Sequence, residues 1–369
     1  MGRMMMGKRV VVVCVAVAFS VFAGGMVLAQ PDSVPGGPWL TDTQNVSLQR
    51  LNDYVELVKR LKRIEKTSQG LVALEAIGDT NEGRNIYLAK IGDPANDAVM
   101  IITQQHGNEA MTTEAALRLM AFLATGSEQA MAILDHLYVL IVPRVNPDGA
   151  ERYQRYNVDP YAPAQNAAEG FYTAGDAGVG WDINRYHWVN GWQESTLYQH
   201  DPDGYPENPV PEAVAVIDAF WRYRPLWVAD FHHQGTYVTD DGDNVTSSIL
   251  WPTNEYVSGY TVDLSKQLCL TIFDHMAHFG YATTTLYPGG SYAGIGRNGY
   301  GLAGAGSILV ELKGGIGQKS SGMIIRHALE QMQALLAATA DGSVYAVDPA
   351  RAAEIPADRY YFSKDLPPE

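Results

Sequence analysis

Ala98-Val99-Met100-Ile101-Ile102-Thr103-Gln104-Gln105-His106-Gly107-Asn108-Glu109 is an apolar run of strand length that breaks into a polar loop carrying a histidine and, three residues on, a glutamate. A helical pattern over Thr113 to Ala124 comes directly after it. Four more runs of the same kind occur at Ile86 to Ile91, Leu137 to Val142, Leu226 to Phe231 and Ser307 to Leu312. Unbroken apolar runs suit strands covered on both faces, as in a parallel sheet. Helical spacing recurs over Ser47 to Lys66, Pro211 to Tyr223, Val262 to Phe279 and Gly322 to Ala338. Strands alternating with helices predict an α/β chain with a mixed, mostly parallel central sheet flanked by helices. The expected single domain spans 47–345, after a lead over 30–46 and before a tail over 346–369.

The polar residues at the ends of these runs bear on function. His106 comes after the second, Asn146-Pro147-Asp148-Gly149 after the third, His232 after the fourth, and Glu311 closes the fifth. In open α/β sheets ligands bind outside the carboxyl ends of the strands. Two imidazoles and a carboxylate suit zinc, and three protein ligands leave the open position of a catalytic site. The only cysteines are Cys14 and Cys269, which excludes a cysteine-rich structural site. The reading is a hydrolytic zinc enzyme with one Zn²⁺ ion. His233 competes with His232 as ligand; packing against the site is its alternative role.

The first residues read as an export signal over 1–29. Arg3, Lys8 and Arg9 form a positive region, Val10 to Val27 an apolar one, and Val27-Leu28-Ala29 a small-residue cleavage site. The alternative is an uncleaved anchor, since the apolar stretch comes close to spanning length. Cleavage removes three positive and no negative charges, moving the formal charge from -15 to -18. That argues against nucleic-acid and anionic-membrane partners. It predicts a secreted or periplasmic protein with no stable membrane association after cleavage. Cys14 leaves with the signal, so no intramolecular disulfide is expected. Tyr153 to Asn208 is rich in Tyr, Trp, Gly, Asn and Pro with little periodicity; aromatics such as Tyr172, Trp181, Tyr186, Trp188 and Trp192 favour an ordered wall. Asp240-Asp241-Gly242-Asp243-Asn244 reads as a solvated acidic turn rather than a calcium loop, because it lacks the full ligand spacing. Asn45 and Asn244 begin glycosylation acceptor sequences.

Six motifs in order carry a resemblance. They are Ile77-Gly78-Asp79-Thr80-Asn81-Glu82-Gly83-Arg84, His106-Gly107-Asn108-Glu109, Asn146-Pro147-Asp148-Gly149, Asp182-Ile183-Asn184-Arg185, Asp230-Phe231-His232 and Val310-Glu311-Leu312. Over roughly Leu71 to Ala338 the chain resembles the zinc metallocarboxypeptidase family, its first zinc motif being closer to the regulatory and bacterial branches than to the digestive one. The resemblance implies that His106, Glu109 and His232 hold zinc and that Glu311 is the general base for the zinc-bound water. It implies that Asn184 and Arg185 grip the substrate's terminal carboxylate, with Asp182 orienting their loop. Arg155 resembles the arginine that polarises the scissile carbonyl, with Arg152 as alternative. Tyr287 resembles the tyrosine that closes over substrate, with Tyr292 and Tyr300 as alternatives. Tyr292 would also lie near the specificity pocket. The other histidines (His136, His187, His200, His275, His278, His327) are read as core or surface. The implied partner is a peptide or protein with a free C-terminal carboxylate.

Rival readings are a zinc deacylase of the aspartoacylase type, a peptidase of cell-wall peptides, and a peptide-binding relative without catalysis. Asn146 to Gly149, Glu82 to Arg84 and Glu311 weigh against the deacylase. Only Gln30 to Gln105 lies between the signal and His106, so activity is expected without proteolytic trimming.

Overall fold

The computed structural model describes residues 51–159, 180–189, 208–313 and 318–361. The expected export signal, the 30–46 lead, Asn45, most of the Tyr153 to Asn208 loop with Tyr172, Trp192 and His200, and residues 362–369 lie outside the described residues. Along the chain the elements are α1 (Tyr54–Thr67), β1 (Val72–Asp79), β2 (Asn85–Ile91), β3 (Asp97–Thr103), α2 (Ala110–Leu123), α3 (Glu128–Leu134), β4 (Leu137–Val142), α4 (Pro147–Glu151), α5 (Pro211–Tyr223), β5 (Trp227–Gln234), β6 (Tyr237–Val238), β7 (Asn244–Val245), β8 (Ser247–Leu250), α6 (Gly259–Ala277), β9 (Thr284–Leu286), α7 (Gly296–Leu302), β10 (Gly306–Lys313), α8 (Gln318–Ala340) and β11 (Tyr360–Tyr361).

Eight strands form one sheet in the order β1-β2-β4-β3-β5-β10-β8-β9. Its centre, β4-β3-β5-β10, is wholly parallel, and antiparallel pairs appear toward both edges. The mixed, mostly parallel sheet is therefore as the sequence predicts. Strand alternation sorts the core. Val99 and Ile101 of β3, Val139 and Ile141 of β4, and Ala229 and Phe231 of β5 face one side, packed with Leu117 of α2 and Leu335 of α8. Met100, Ile102, Leu140 and Val228 face the other, packed with Val216 of α5, Trp181 and Tyr186. With helices on both faces, the central strands have no solvated side to mark with polar residues.

Differences from the sequence reading have local causes. Helix α1 starts at Tyr54 because Asp53 caps it, its carboxylate accepting from the Glu56 backbone N–H. β5 runs on to Gln234 because β10 keeps pairing with it as far as Lys313. Strands β8 and β9 carried no apolar signal, yet they are buried. Their Ser247–Thr284 and Ser248–Thr285 hydroxyl pairs, at 3.1 and 2.9 Å, satisfy each other across the ladder. Beyond 345 the chain stays engaged: Arg351 bonds both oxygens of Asp274 on α6, and β11 pairs with β6. Asp240 to Asp243 lie in the turn between β6 and β7, their three aspartates exposed, and Asn244 opens β7. Among the described residues no helix is long and apolar enough to cross a membrane.

Candidate active site

The parallel register puts the chemistry in a line. Glu311 on β10 is the direct neighbour of His232 on β5, and Phe231 pairs with Thr103 at the end of β3. Three residues beyond Thr103 the chain delivers His106, and Glu109 sits at the start of α2. The turn between them is close-packed: a Cβ on Gly107 would come within 2.1 Å of the Gly149 backbone, so glycine is required there. Gly149 in turn belongs to α4, where Asn146 accepts from the Gly149 N–H at 2.7 Å and also donates to the Gln105 carbonyl at 3.1 Å. Asp148, fully buried, accepts from the Thr80 hydroxyl, the Glu82 N–H and Arg84 at 2.8, 3.0 and 2.6 Å. Two of the six motifs are thus the masonry behind the metal loop.

His106, Glu109 and His232 form the group of side chains that could hold a metal among the described residues; their ligand atoms lie within 4.8 Å of one another, all buried. The histidine Nε2 atoms face carboxylates: Asp182 at 3.1 Å from His106 and Asp230 at 2.7 Å from His232. A carboxylate only accepts, so each Nε2 must carry the hydrogen. The Nδ1 lone pairs then face inward, 3.2 Å from each other and 2.7 and 3.0 Å from the Glu109 oxygens. Lone pairs converging on one point need a cation between them, and a metal ion fits that donor set.

Electrostatics agree. Burial works against the Glu109 charge, but His106 and His232 outweigh it and hold the carboxyl well below its usual range. Burial likewise opposes charge on His232, yet Asp230 and Glu109 raise its pKa well above the ordinary value. A cation in the cluster must displace that proton, so binding releases it. The support continues outward through Gln105, which donates to Asp230 at 2.6 Å and accepts from His187 at 2.5 Å; His187 meets the Tyr300 hydroxyl at 2.8 Å. Burial lowers the His187 pKa to about 4, so it stays neutral. His187, read from sequence as core or surface, is therefore part of the second layer of support.

Beside the cluster opens a cavity of about 370 Å³ whose lining includes His106, Arg155, Asn184, Arg185, Tyr287 and Glu311. Arg155 donates twice to Asp182, at 2.8 and 3.1 Å, and its Nη1 lies 3.3 Å from His106. Arg152 turns away to pair with Glu82. Asn184 is fixed by the Gly296 N–H, which donates to its Oδ1 at 2.8 Å, and its Nδ2 lies 3.2 Å from His232. Tyr300 is fully buried in the second core, and the Tyr292 hydroxyl accepts from Trp188 at 2.8 Å; neither lines the cavity. Glu311 does, with its Oε2 bonded to nothing. Burial raises the Glu311 pKa to about 7; His232, His106 and Arg155 pull it down and Glu109 pushes it up. His233 also lines the cavity, its Nε2 without a partner.

Two polar lining residues near the arginines had no role in the sequence reading: Arg297 lies in a glycine-rich stretch and Tyr237 on a two-residue strand. Arg359, in the expected tail, backs the lining by stacking on Tyr237 and Tyr287. Asp230 had a signal: i and i+2 on a strand share a face, so it had to lie beside His232.

Comparisons with known proteins agree with this geometry. The catalytic chain of Homo sapiens carboxypeptidase N is 26% identical over 197 residues, 50% of this chain and 42% of that protein. Probable carboxypeptidase 2 of Arthroderma benhamiae is 30% identical over 112 residues, 27% of this chain and 21% of that protein. The chain thus spans less than half the length of these relatives. In fold it is similar to carboxypeptidase A from Helicoverpa armigera, with a TM-score of 0.60 and 19% identity over 80% of this chain and 75% of that one. It is also similar to thrombin activatable fibrinolysis inhibitor, at 0.58 and 19% over 84% and 80%. Residues 57–268 match the zinc carboxypeptidase family. That stretch contains all three members of the buried His-Glu-His cluster, and the chain belongs to the zinc carboxypeptidase family.

Proposed function

We propose that the protein is a zinc-dependent carboxypeptidase that removes the C-terminal residue of peptides or proteins. The observation that carries this reading is the inward convergence of the His106 and His232 Nδ1 atoms and the Glu109 carboxylate beside a cavity lined by arginines. His106, Glu109 and His232 would hold one zinc ion. When bound, zinc supplies Lewis acidity and lowers the pKa of water toward about 7.

The chain's own residues do the rest. Arg185 and Asn184 receive the terminal carboxylate, which restricts cleavage to the last peptide bond. Arg155 donates to the scissile carbonyl as it gains charge; Asp182 keeps the guanidinium in place. Glu311, with an unpartnered oxygen and a carboxyl pKa that burial raises to about 7, takes a proton from the attacking water and passes it to the leaving amine. Tyr287, which burial pushes up to about 12, remains a neutral phenol able to donate over the bound substrate. The Arg3 to Ala29 stretch supports export to a secreted or periplasmic location.

Peptides with free and with amidated C-termini, followed by mass spectrometry with and without a zinc chelator, test the reading. Stepwise loss from free ends only, stopped by chelator, is the expected result. Shortening of amidated peptides, or none of free ones by the zinc-loaded protein, would overturn it in favour of the deacylase, cell-wall or binding readings.

A further inference from the structure

Arg297 opens the first turn of α7 and is 1% exposed, yet it lines the cavity. Its Nη2 donates to the Gly290 carbonyl at 2.5 Å and the Thr253 hydroxyl at 3.1 Å, and its Nε to the Trp251 carbonyl at 3.3 Å. All three acceptors are neutral. No carboxylate of the described residues lies within ion-pair distance of it, and its Nη1 makes no hydrogen bond among them. Arg155, by contrast, is already neutralised by Asp182 at 2.8 Å. Burial lowers the Arg297 pKa only to about 10, so the group is charged near neutrality. Tyr287, Arg185, Glu311, Asp230 and Cys269 are among the titratable groups that feel it or act on it.

A buried charge without a partner is costly, and a chain keeps one most readily where a ligand supplies the missing anion. The cavity is a cationic spot in an acidic protein: three guanidiniums and one carboxylate, Glu311, line it, while the whole chain carries a formal charge of -15. Glycine at 289 gives the guanidinium its place, since a Cβ there would sit 2.5 Å from Nη2. With Arg185 and Asn184 on the terminal carboxylate, Arg297 is left facing the side chain of the same residue.

We propose that this cavity selects an acidic C-terminal residue, with Arg297 receiving the side-chain carboxylate of a terminal glutamate or aspartate. The proposal rests on the carboxypeptidase reading for the placement of the terminal residue. An apolar side chain leaves the guanidinium unpaired, and a basic one sets like charges together. One charge-assisted hydrogen bond in a desolvated site predicts a preference for Glu over Gln on the order of tenfold to a hundredfold.

The test is calorimetric binding of N-acetyl-glutamate, N-acetyl-glutamine, N-acetyl-leucine and N-acetyl-lysine to the zinc-loaded full chain, alongside turnover of peptides ending in the same residues. Glutamate should bind at least tenfold tighter than glutamine, with lysine weakest. Arg297→Gln should bring the Glu/Gln ratio within about twofold, and Arg297→Lys should keep part of it. Equal binding of glutamate and glutamine, no binding by any, or a preference for lysine would overturn the proposal. So would an Arg297→Gln protein that weakens both ligands equally, since the residue would then only hold the Gly289–Gly290 loop. Should the variants not fold, the wild-type ratio decides alone. If glutamate outbinds glutamine while no free-ended peptide is shortened, the carboxypeptidase reading fails and the acidic subsite stands. Peptides shortened without regard to glutamate mean the converse.

Discussion

The two halves of the site are built on opposite terms. Around His106 and His232 every distal nitrogen has a carboxylate, those carboxylates are held in turn by Arg155 and Gln105, and Gln105 is held by His187. Across the cavity, Glu311 Oε2 and His233 Nε2 have no partner, and the Arg297 guanidinium has only neutral ones. A polar network in which each imidazole is braced by a held carboxylate is rigid and sets ligand atoms in advance, even with Asp230 Oδ1 itself unpartnered. Unsatisfied buried groups are costly on their own and are compensated only by something that enters. Under the proposed reading, the difference teaches which half would hold a cation and which half would receive substrate and water.

The largest break in that contrast is Glu311→Gln. On the waiting side, it should lower kcat by about 10²–10⁴-fold. Metal content should not change, because the braced side is untouched; atomic absorption on the purified variant checks this. Retained turnover, or lost metal, would move Glu311 out of the base role. Its titration adds a second reading. Burial raises the carboxyl pKa to about 7, and only the deprotonated form accepts a proton, so activity falls as pH drops through that value. A dication held by its neighbours draws the pKa down, which puts the midpoint of the acid limb at or below about 7. A rate profile flat down to pH 5 would contradict this assignment.

Asp230→Asn acts on the braced side. Its Oδ2 accepts from both His232 and Gln105, and an amide cannot supply the same charge to the imidazole. Loss of such a supporting carboxylate costs roughly 10–100-fold in metal affinity or activity. Competition with a chromophoric chelator should show the drop, and excess zinc should restore most of the turnover. If affinity is unchanged, the chain from Asp230 to His187 is packing rather than support.

How far the sequence reveals these halves depends on how each is built. His106, His232 and Glu311 sit at or just past the ends of apolar runs, where strand period and topology place them without knowledge of the rest. The helix over Pro211 to Tyr223 was legible to the residue, since Pro211 marks its first turn. The waiting half is assembled from segments with no periodic signal. Arg297 lies among glycines, where an arginine reads as solvated, and only the fold buries it. Strands β8 and β9 are buried through paired hydroxyls, which hydropathy scores as surface. Arg359 lies 125 residues from Gln234, to which it donates at 2.5 Å, and no local pattern links two such positions.

Arg359 gives the finest test of the contrast. Its guanidinium centre lies 3.5 Å from the Tyr237 ring centre and 4.9 Å from that of Tyr287, so a residue near the end of the chain leans on two walls of the cavity. The group is half-buried, and a cation over an aromatic face in such a setting is worth about 0.5–1 kcal/mol. Arg359→Ala should therefore raise KM by about 2–5-fold and leave kcat within about twofold, because the wall loosens while Glu311 and the metal cluster keep their own supports. Steady-state kinetics on a single peptide separates the two constants. A fall in kcat at unchanged KM would mean instead that Tyr287 acts in the chemical step and depends on this stack for its position.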